Sequence, residues 1–497
     1  MSLAQASVAR AQGHGRGDLK PHLNSVPAWT IVTGLVFGLL VYLSSGPLDD
    51  PDVWWHVRLG RQILDTHHLP HREVWSFAAL GHAWTPTAWL SDVVYGGLVD
   101  LAGWRALIFL KLVVCAITAW LVLRLARRTG ASPAAVTFAF TLSCLPLTFF
   151  LRERPQAFSL VILAVLASWF EDVRRGRSLP VVRFLALQWI WANVHGMWFL
   201  GPVFLVVAAI CDALDSGRPA LVRLQRHLVL ALGGVAVAAL TPVGPRLVVQ
   251  PFLVRSAARQ ISEWQPTVLW ARGLTPYLIA IAVLVLALAR RRSAPTWSDP
   301  VWLLVVVAFS LVASRNVAPA AILLAAPLAR AVDELGPLPA DARIPVAVPA
   351  VLALLGVGFA VAGAATETAI ARSEPTRLVN ELGRLPAPRH VLNDYTVGGL
   401  ISGTQPAASV AIDGRTDNYS PSYVDQYLGM SQLQGPWQQL LRRLRPDCAL
   451  LASDDALTHV LVAEYGWRVV DHEAGYTLLE RGPAGKIELS TAPGDRP

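Results

Sequence analysis

The chain has 497 residues, of which 54% are hydrophobic and only 15% charged, against about 25% charged in an ordinary soluble protein. That composition excludes a wholly soluble globular protein and a disordered one. The net charge is +8, but residues from Glu367 onward hold 12 Lys and Arg against 16 Asp and Glu, a net of −4, so the part before it carries +12. This asymmetry points to a membrane orientation rather than to nucleic acid.

In chain order, residues 1–26 read as a flexible cytoplasmic arm, rich in Gly, Ala and His, with Arg10, Arg16 and Lys20. The first apolar run, 26–45, has no clear small-x-small cleavage site after it, so it reads as a transmembrane helix and not a signal peptide. Further apolar runs lie at 104–123, 134–151, 157–170, 184–194, 198–213, 228–240, 276–289, 301–313, 318–329 and 345–364. About 11 spans result. Cys115, Cys144 and Cys211 fall inside these runs and Cys448 stands alone, so no disulfide framework or Cys-based metal site is readable.

One alternating set of loops holds Arg124, Arg127 and Arg128; Arg174, Arg175 and Arg177; Arg218, Arg223 and Arg226; and Arg290, Arg291 and Arg292. The positive-inside rule makes these cytoplasmic. The N-terminus is then inside, and an odd number of spans leaves the C-terminal part outside.

The opposite loops carry the unusual polar residues. The first, 46–103, opens with Asp49-Asp50-Pro51-Asp52-Val53-Trp54-Trp55-His56, before an expected helix over 57–64 with Arg58 and Arg61. Pro51 can start a helix, which would aim Asp52 at the membrane surface. Interfacial anchoring by Trp54 and Trp55 is the alternative. His67, His68, His71 and His82 follow, but no His-x3-His pair stands on one helix face.

Arg152-Glu153-Arg154-Pro155-Gln156, Asn193 with His195, Glu263-Trp264, and Ser314-Arg315-Asn316 lie at the same expected face. Each alone reads as a cap or turn. Together they suggest one polar cavity, because ionisable groups at membrane depth usually face protein. Arg152, Arg154 and Arg315 would neutralise a phosphate or diphosphate there, with His56, Asn193, His195 and Asn316 as further substrate contacts. Asp52 or Glu263 would accept a proton.

From about 376 the pattern alternates short strands and helices, a small α/β layer domain over 367–497. Asn393 and Asp394, and Asp413, Arg415 and Asp417, sit at expected strand ends, either capping turns or recognising an acceptor or sugar. No Gly-x-Gly-x-x-Gly, Walker or Ser-nucleophile signature appears.

Asp-Pro-Asp-x-Trp-Trp-His, the Arg-Pro-Gln turn, Trp-Ala-Asn-x-His-Gly and Asn-Asp-Tyr-x-x-Gly-Gly resemble a group of bacterial membrane proteins placed near the GT-C superfamily of glycosyltransferases. The resemblance covers nearly all the chain after Pro27. It implies a GT-C-like helix bundle with an extracytoplasmic C-terminal α/β domain, and a multi-pass enzyme of the cell membrane. It implies transfer of a sugar from a polyprenyl-phosphate-linked donor to a glycan, lipid or protein acceptor. An acid of the first outer loop would be the base or help hold a divalent cation, a role that falls on Asp52 or Asp50. Asp-Pro-Asp departs from the usual Asp-Asp or Asp-Glu pattern, which leaves the choice of carboxylate open. A non-catalytic transporter or flippase, or a structural subunit in envelope assembly, would need a similar body. No internal repeat, the usual mark of a transporter, is visible.

Overall fold

A computed structural model describes residues 25–216, 218–253, 261–271, 273–291, 297–336, 343–366, 369–385 and 389–482. Most of the expected arm, Arg292 of a basic loop and the junction at 367 lie outside these residues. The rest is mainly helical, and each apolar run has become a helix.

The helices are α1 (Trp29–Leu43), α2 (Val53–Thr66), α3 (Trp89–Ala102), α4 (Arg105–Arg127), α5 (Pro133–Cys144), α6 (Leu147–Phe150), α7 (Gln156–Arg174) and α8 (Val181–Val194). Then come α9 (Leu200–Ser216), α10 (Arg218–Ala239), α11 (Arg246–Leu253), α12 (Thr275–Arg290), α13 (Ser298–Val312), α14 (Val317–Leu335) and α15 (Ala347–Thr366). Among the described residues seven helical segments are long and apolar enough to cross a membrane, and α1, α8, α12 and α13 are shorter apolar helices. The chain is a multi-pass membrane protein.

The bundle is centred on α14, whose face from Val317 to Val332 is buried almost throughout. It packs on α5, α7, α12 and α13. The outer helix α15 instead presents Leu354, Leu355 and Phe359, as a lipid-facing span does.

The bundle has two unlike ends. Arg128 pairs with Asp172, Arg174 with Glu171 and Asp299, Arg291 with Asp299 and Glu334, and Arg330 with Glu171. These contacts gather the basic loops after α4, α7 and α12 at one end. The start of α7 lies at the other end, where the first loop and the C-terminal region meet.

That loop holds two amphipathic helices. α2 begins at Val53, four residues before the expected start, and Trp54 is fully buried beneath the C-terminal helix Gly398–Thr404 instead of anchoring in an interface. α2 and α3 cross at Gly60 and Gly96. A Cβ on Gly60 would stand 1.8 Å from the Asp92 carbonyl oxygen, and one on Gly96 2.6 Å from the Arg61 nitrogen. Only glycine permits this backbone approach, and it brings α3 side chains against α2.

The C-terminal region holds α16 (Thr376–Leu382), α17 (Gly398–Thr404), α18 (Pro421–Met430), α19 (Trp437–Leu444) and α20 (Ala456–Ala463). β1 (Ser25–Pro27) and β2 (Arg343–Pro345) pair separately. β3 (Arg389–Asn393), β4 (Ala408–Val410), β5 (Cys448–Ala452), β6 (Arg468–Glu473) and β7 (Tyr476–Glu480) form one sheet in the order β4-β3-β5-β7-β6. The first three are parallel, and β6–β7 is an antiparallel hairpin. The first loop extends this sheet: Phe77 N–H donates to Val410 O, and Val410 N–H to Trp75 O. The C-terminal sheet is therefore hydrogen-bonded to the loop that carries Asp52.

Candidate functional site

A cavity of about 590 Å³ lies between the bundle end, the first loop and the C-terminal region. Asp52, Trp55 and His56 of the α2 start line it, with Asp92, Arg154, His195, Glu263 and Arg315. Tyr395, Arg415 and Asp417 form its C-terminal lip.

Arg154 is the hub. Its Nε donates to both oxygens of Asp50, at 2.7 and 2.6 Å. Its Nη2 is 3.2 Å from Asp52 Oδ2 and its Nη1 3.2 Å from Glu263 Oε1. Asp50 is buried behind it, and its Oδ1 also accepts the Asp52 N–H. Burial raises the Asp50 carboxyl above the ordinary carboxylate range, against the pull of Arg154. Asp52 does reach the cavity. Its Oδ1 accepts the Trp55 indole N–H at 3.1 Å. Gly414 of the C-terminal lip backs onto the same oxygen, and a Cβ there would stand 1.7 Å from it.

His56 Nδ1 is hydrogen-bonded to Asp92 Oδ1. Asp92 is 1% exposed, and its Oδ2 has no partner among the described residues. Burial raises the Asp92 carboxyl, and His56 partly offsets the rise. Across the cavity, His195 Nδ1 meets Ser159 Oγ at 2.8 Å, and Ser159 Oγ accepts the Trp191 indole N–H at 2.7 Å. The serine hydroxyl is thus free to donate to Nδ1, which also faces the Met197 N–H. His195 then carries its proton on Nε2. Arg315 stacks on Trp264 at 4.7 Å, and its one ion pair among the described residues is a loose 3.7 Å contact with Glu263.

Arg415 crosses from the lip into the first loop. It bonds Glu73 and Asp413 and lies between Trp75 and Trp84, 4.3 and 5.0 Å from their ring centres. Burial opposes its charge, and Asp413 and Glu73 outweigh burial, so the guanidinium is held above its ordinary value.

Other expected site residues do not line the cavity. Arg152 pairs with Asp49 at the surface. Asn193 is buried, accepts the Trp89 indole N–H and donates to Trp189 O. Asn316 donates to Phe309 O. Asn393 clasps β3 to the chain after β4, through Ile412 O and the Ala411 N–H. Asp394 closes a turn on Thr396, and Asp413 is buried against Arg415. Each is already engaged by a backbone group, an indole N–H or a paired charge. Asp92 and Glu73 were not expected. Asp92 lies outside any polar run, nothing local sets Glu73 apart from its neighbours His71 and Arg72, and only tertiary contact reveals the two.

The donor set does not suit a divalent cation. The oxygens of Asp50, Asp52 and Glu263 that would surround one converge on Arg154. Among the described residues no three His, Cys, Asp or Glu side chains gather as metal ligands.

No protein-family model matches the chain, and no curated protein matches it in sequence. Among solved structures, the Archaeoglobus fulgidus oligosaccharyltransferase in its apo form is similar, with a TM-score of 0.54 and 12% identity, over 86% of this chain and 69% of that one. ArnT from Cupriavidus metallidurans bound to undecaprenyl phosphate has a TM-score of 0.44 and 16% identity, over 92% of this chain and 97% of that one. At such identities the likeness concerns fold alone, and the fold of this chain is GT-C-like.

Proposed function

We propose that the protein is a membrane glycosyltransferase that moves a sugar from a polyprenyl-phosphate-linked donor to an acceptor hydroxyl in this cavity. The observation that carries the reading is the pairing of opposite chemistries at one bundle end. Arg315 offers a cation with little internal neutralisation, suited to a lipid phosphate. Asp52 and His56 offer proton acceptors on the facing wall. Arg154 is the weaker phosphate candidate, because three carboxylates already surround it.

In this reading residues 1–26 and the arginine-rich end are cytoplasmic, 27–366 form the membrane domain, and 367–497 form an extracytoplasmic domain that closes the cavity. The exposed lip residue Asp417, with Arg415 behind it, then meets the sugar or acceptor. Cysteine substitution at Asp65 and Ser420 should give labelling from outside, and at Arg175 none. The reverse pattern would remove the outer-face chemistry.

The direct test of activity is release of polyprenyl phosphate from a polyprenyl-phosphate-linked sugar, followed by mass spectrometry. A transporter would return the lipid-linked sugar unchanged. Envelope glycans of a deletion strain would then name the acceptor class.

A further inference from the structure

Asp52 and His56 are not equal candidates for the base. Both oxygens of Asp52 are already engaged: Oδ1 accepts the Trp55 indole N–H, and Oδ2 is ion-paired with Arg154 Nη2 at 3.2 Å. Donors aimed at a carboxylate stabilise its charged form and weaken it as a base. His56 is arranged the other way. Its Nδ1 is engaged by Asp92, a buried carboxylate supplied by another helix. An ionised carboxylate only accepts, so Nδ1 carries the proton and Nε2 keeps its lone pair. The ring lines the cavity, and Nε2 has no hydrogen-bond partner among the described residues. Trp55 covers one ring face, at 3.6 Å between centres.

We infer that His56 Nε2 is the proton acceptor of this site and that Asp92 is its positioning residue. The inference rests on the transferase reading. In the step, the acceptor O–H proton passes to Nε2 as the oxygen bonds to the anomeric carbon. The bond from that carbon to the phosphate oxygen breaks, and polyprenyl phosphate leaves with the electron pair. His56 then returns its proton to solvent. Asp92 keeps the imidazole in one tautomer and stabilises the imidazolium, as a carboxylate does for a catalytic histidine. Asp52, held by Arg154, orients the acceptor.

The test begins without a turnover assay. The full-length protein in detergent is pulsed with diethyl pyrocarbonate, which modifies neutral imidazole, between about pH 5 and 8. Peptide mass spectrometry compares His56 with the exposed His67 and His68. The groups that face His56 are Asp92 and Tyr95 of α3, Asp52 on its own segment, and Arg154 and His195 of the cavity.

His56 is expected to react, and at about pH 8 D92N should slow its modification several-fold through loss of the carboxylate that holds Nδ1. D92E, which keeps the carboxylate, should keep the rate near that of the wild type. An unreactive wild-type His56 beside a reactive His67 would overturn the proposal, and so would a rate unmoved by D92N.

In the transfer assay H56N should lose about 10²- to 10⁴-fold and D52N less; the reverse order would also overturn it. A His56 whose reactivity depends on Asp92, in a wild type that transfers no sugar, removes the transferase reading and leaves the dyad standing.

Discussion

The two ends of the bundle both gather charges and use them differently. At the arginine-rich end many of the charges are paired with one another. Glu171 receives Arg174, Arg175 and Arg330, and Asp299 receives Arg174 and Arg291. Asp215 accepts the Trp297 and Ser298 N–H groups at the start of α13. At the cavity end Arg154 is saturated, but Asp92 Oδ2 is unpartnered and Arg315 has one loose ion pair. Saturated clusters fix where helices end. Groups left unsaturated beside a cavity are the ones with capacity for a ligand.

This contrast is open to test by substitution. The largest effect should come from R154Q, which leaves the buried Asp50 carboxylate uncompensated and should cost about 3 kcal/mol or more. R174Q should cost less, because the part-exposed Asp299 keeps its pairs with Arg291 and Arg330. Thermal unfolding in detergent would show both. Ligand binding affected by R154Q and not by R174Q would sharpen the contrast.

R315Q should be the converse. We expect little change in unfolding and a loss of about ten- to a hundredfold in affinity for undecaprenyl phosphate, the worth of one charge-assisted contact of roughly 1.5–3 kcal/mol. An unfolded R315Q protein would make Arg315 a structural residue and erase the difference between the ends.

G414A forces a methyl group onto Asp52, and overpacking of this kind costs about 1–3 kcal/mol. It should also displace Asp52 and impair transfer. R152Q removes a surface pair that is about half exposed on both sides, and should change stability by less than about 0.5 kcal/mol and leave binding intact. A binding defect in R152Q would return Arg152 to the site.

Much of the architecture was legible because burial in lipid leaves a one-dimensional signal. A long apolar run must close its own backbone hydrogen bonds, so each run from 26–45 to 345–364 became a helix. The alternation of short strands and helices in the C-terminal region was readable from the sequence pattern, and the pairing of the parallel strands was not.

The site was legible only in part. Asp52, His56, Arg154, His195, Glu263, Arg315, Arg415 and Asp417 line the cavity, and most stood out as ionisable groups between apolar runs. Composition does not say whether such a group is already spent. Arg152 and Arg154 are two residues apart, yet one pairs at the surface and the other meets three carboxylates. Asn193 and Asn393 look like ligands in sequence, but Asn193 ties the Trp89 indole to the Trp189 carbonyl and Asn393 serves the backbone. Asp92 carries no local signal, because its position depends on the approach of Gly60 and Gly96 from separate helices.

The most direct measurement of the central claim is the fate of a polyprenyl-phosphate-linked sugar mixed with purified protein and envelope acceptors. The expected result is free polyprenyl phosphate together with a glycosylated acceptor, in amounts that rise with wild-type protein and fall sharply with H56N and R315Q. A donor recovered intact in every reaction, by a protein that nonetheless binds undecaprenyl phosphate through Arg315, would contradict transfer and favour a transporter built on the same cavity.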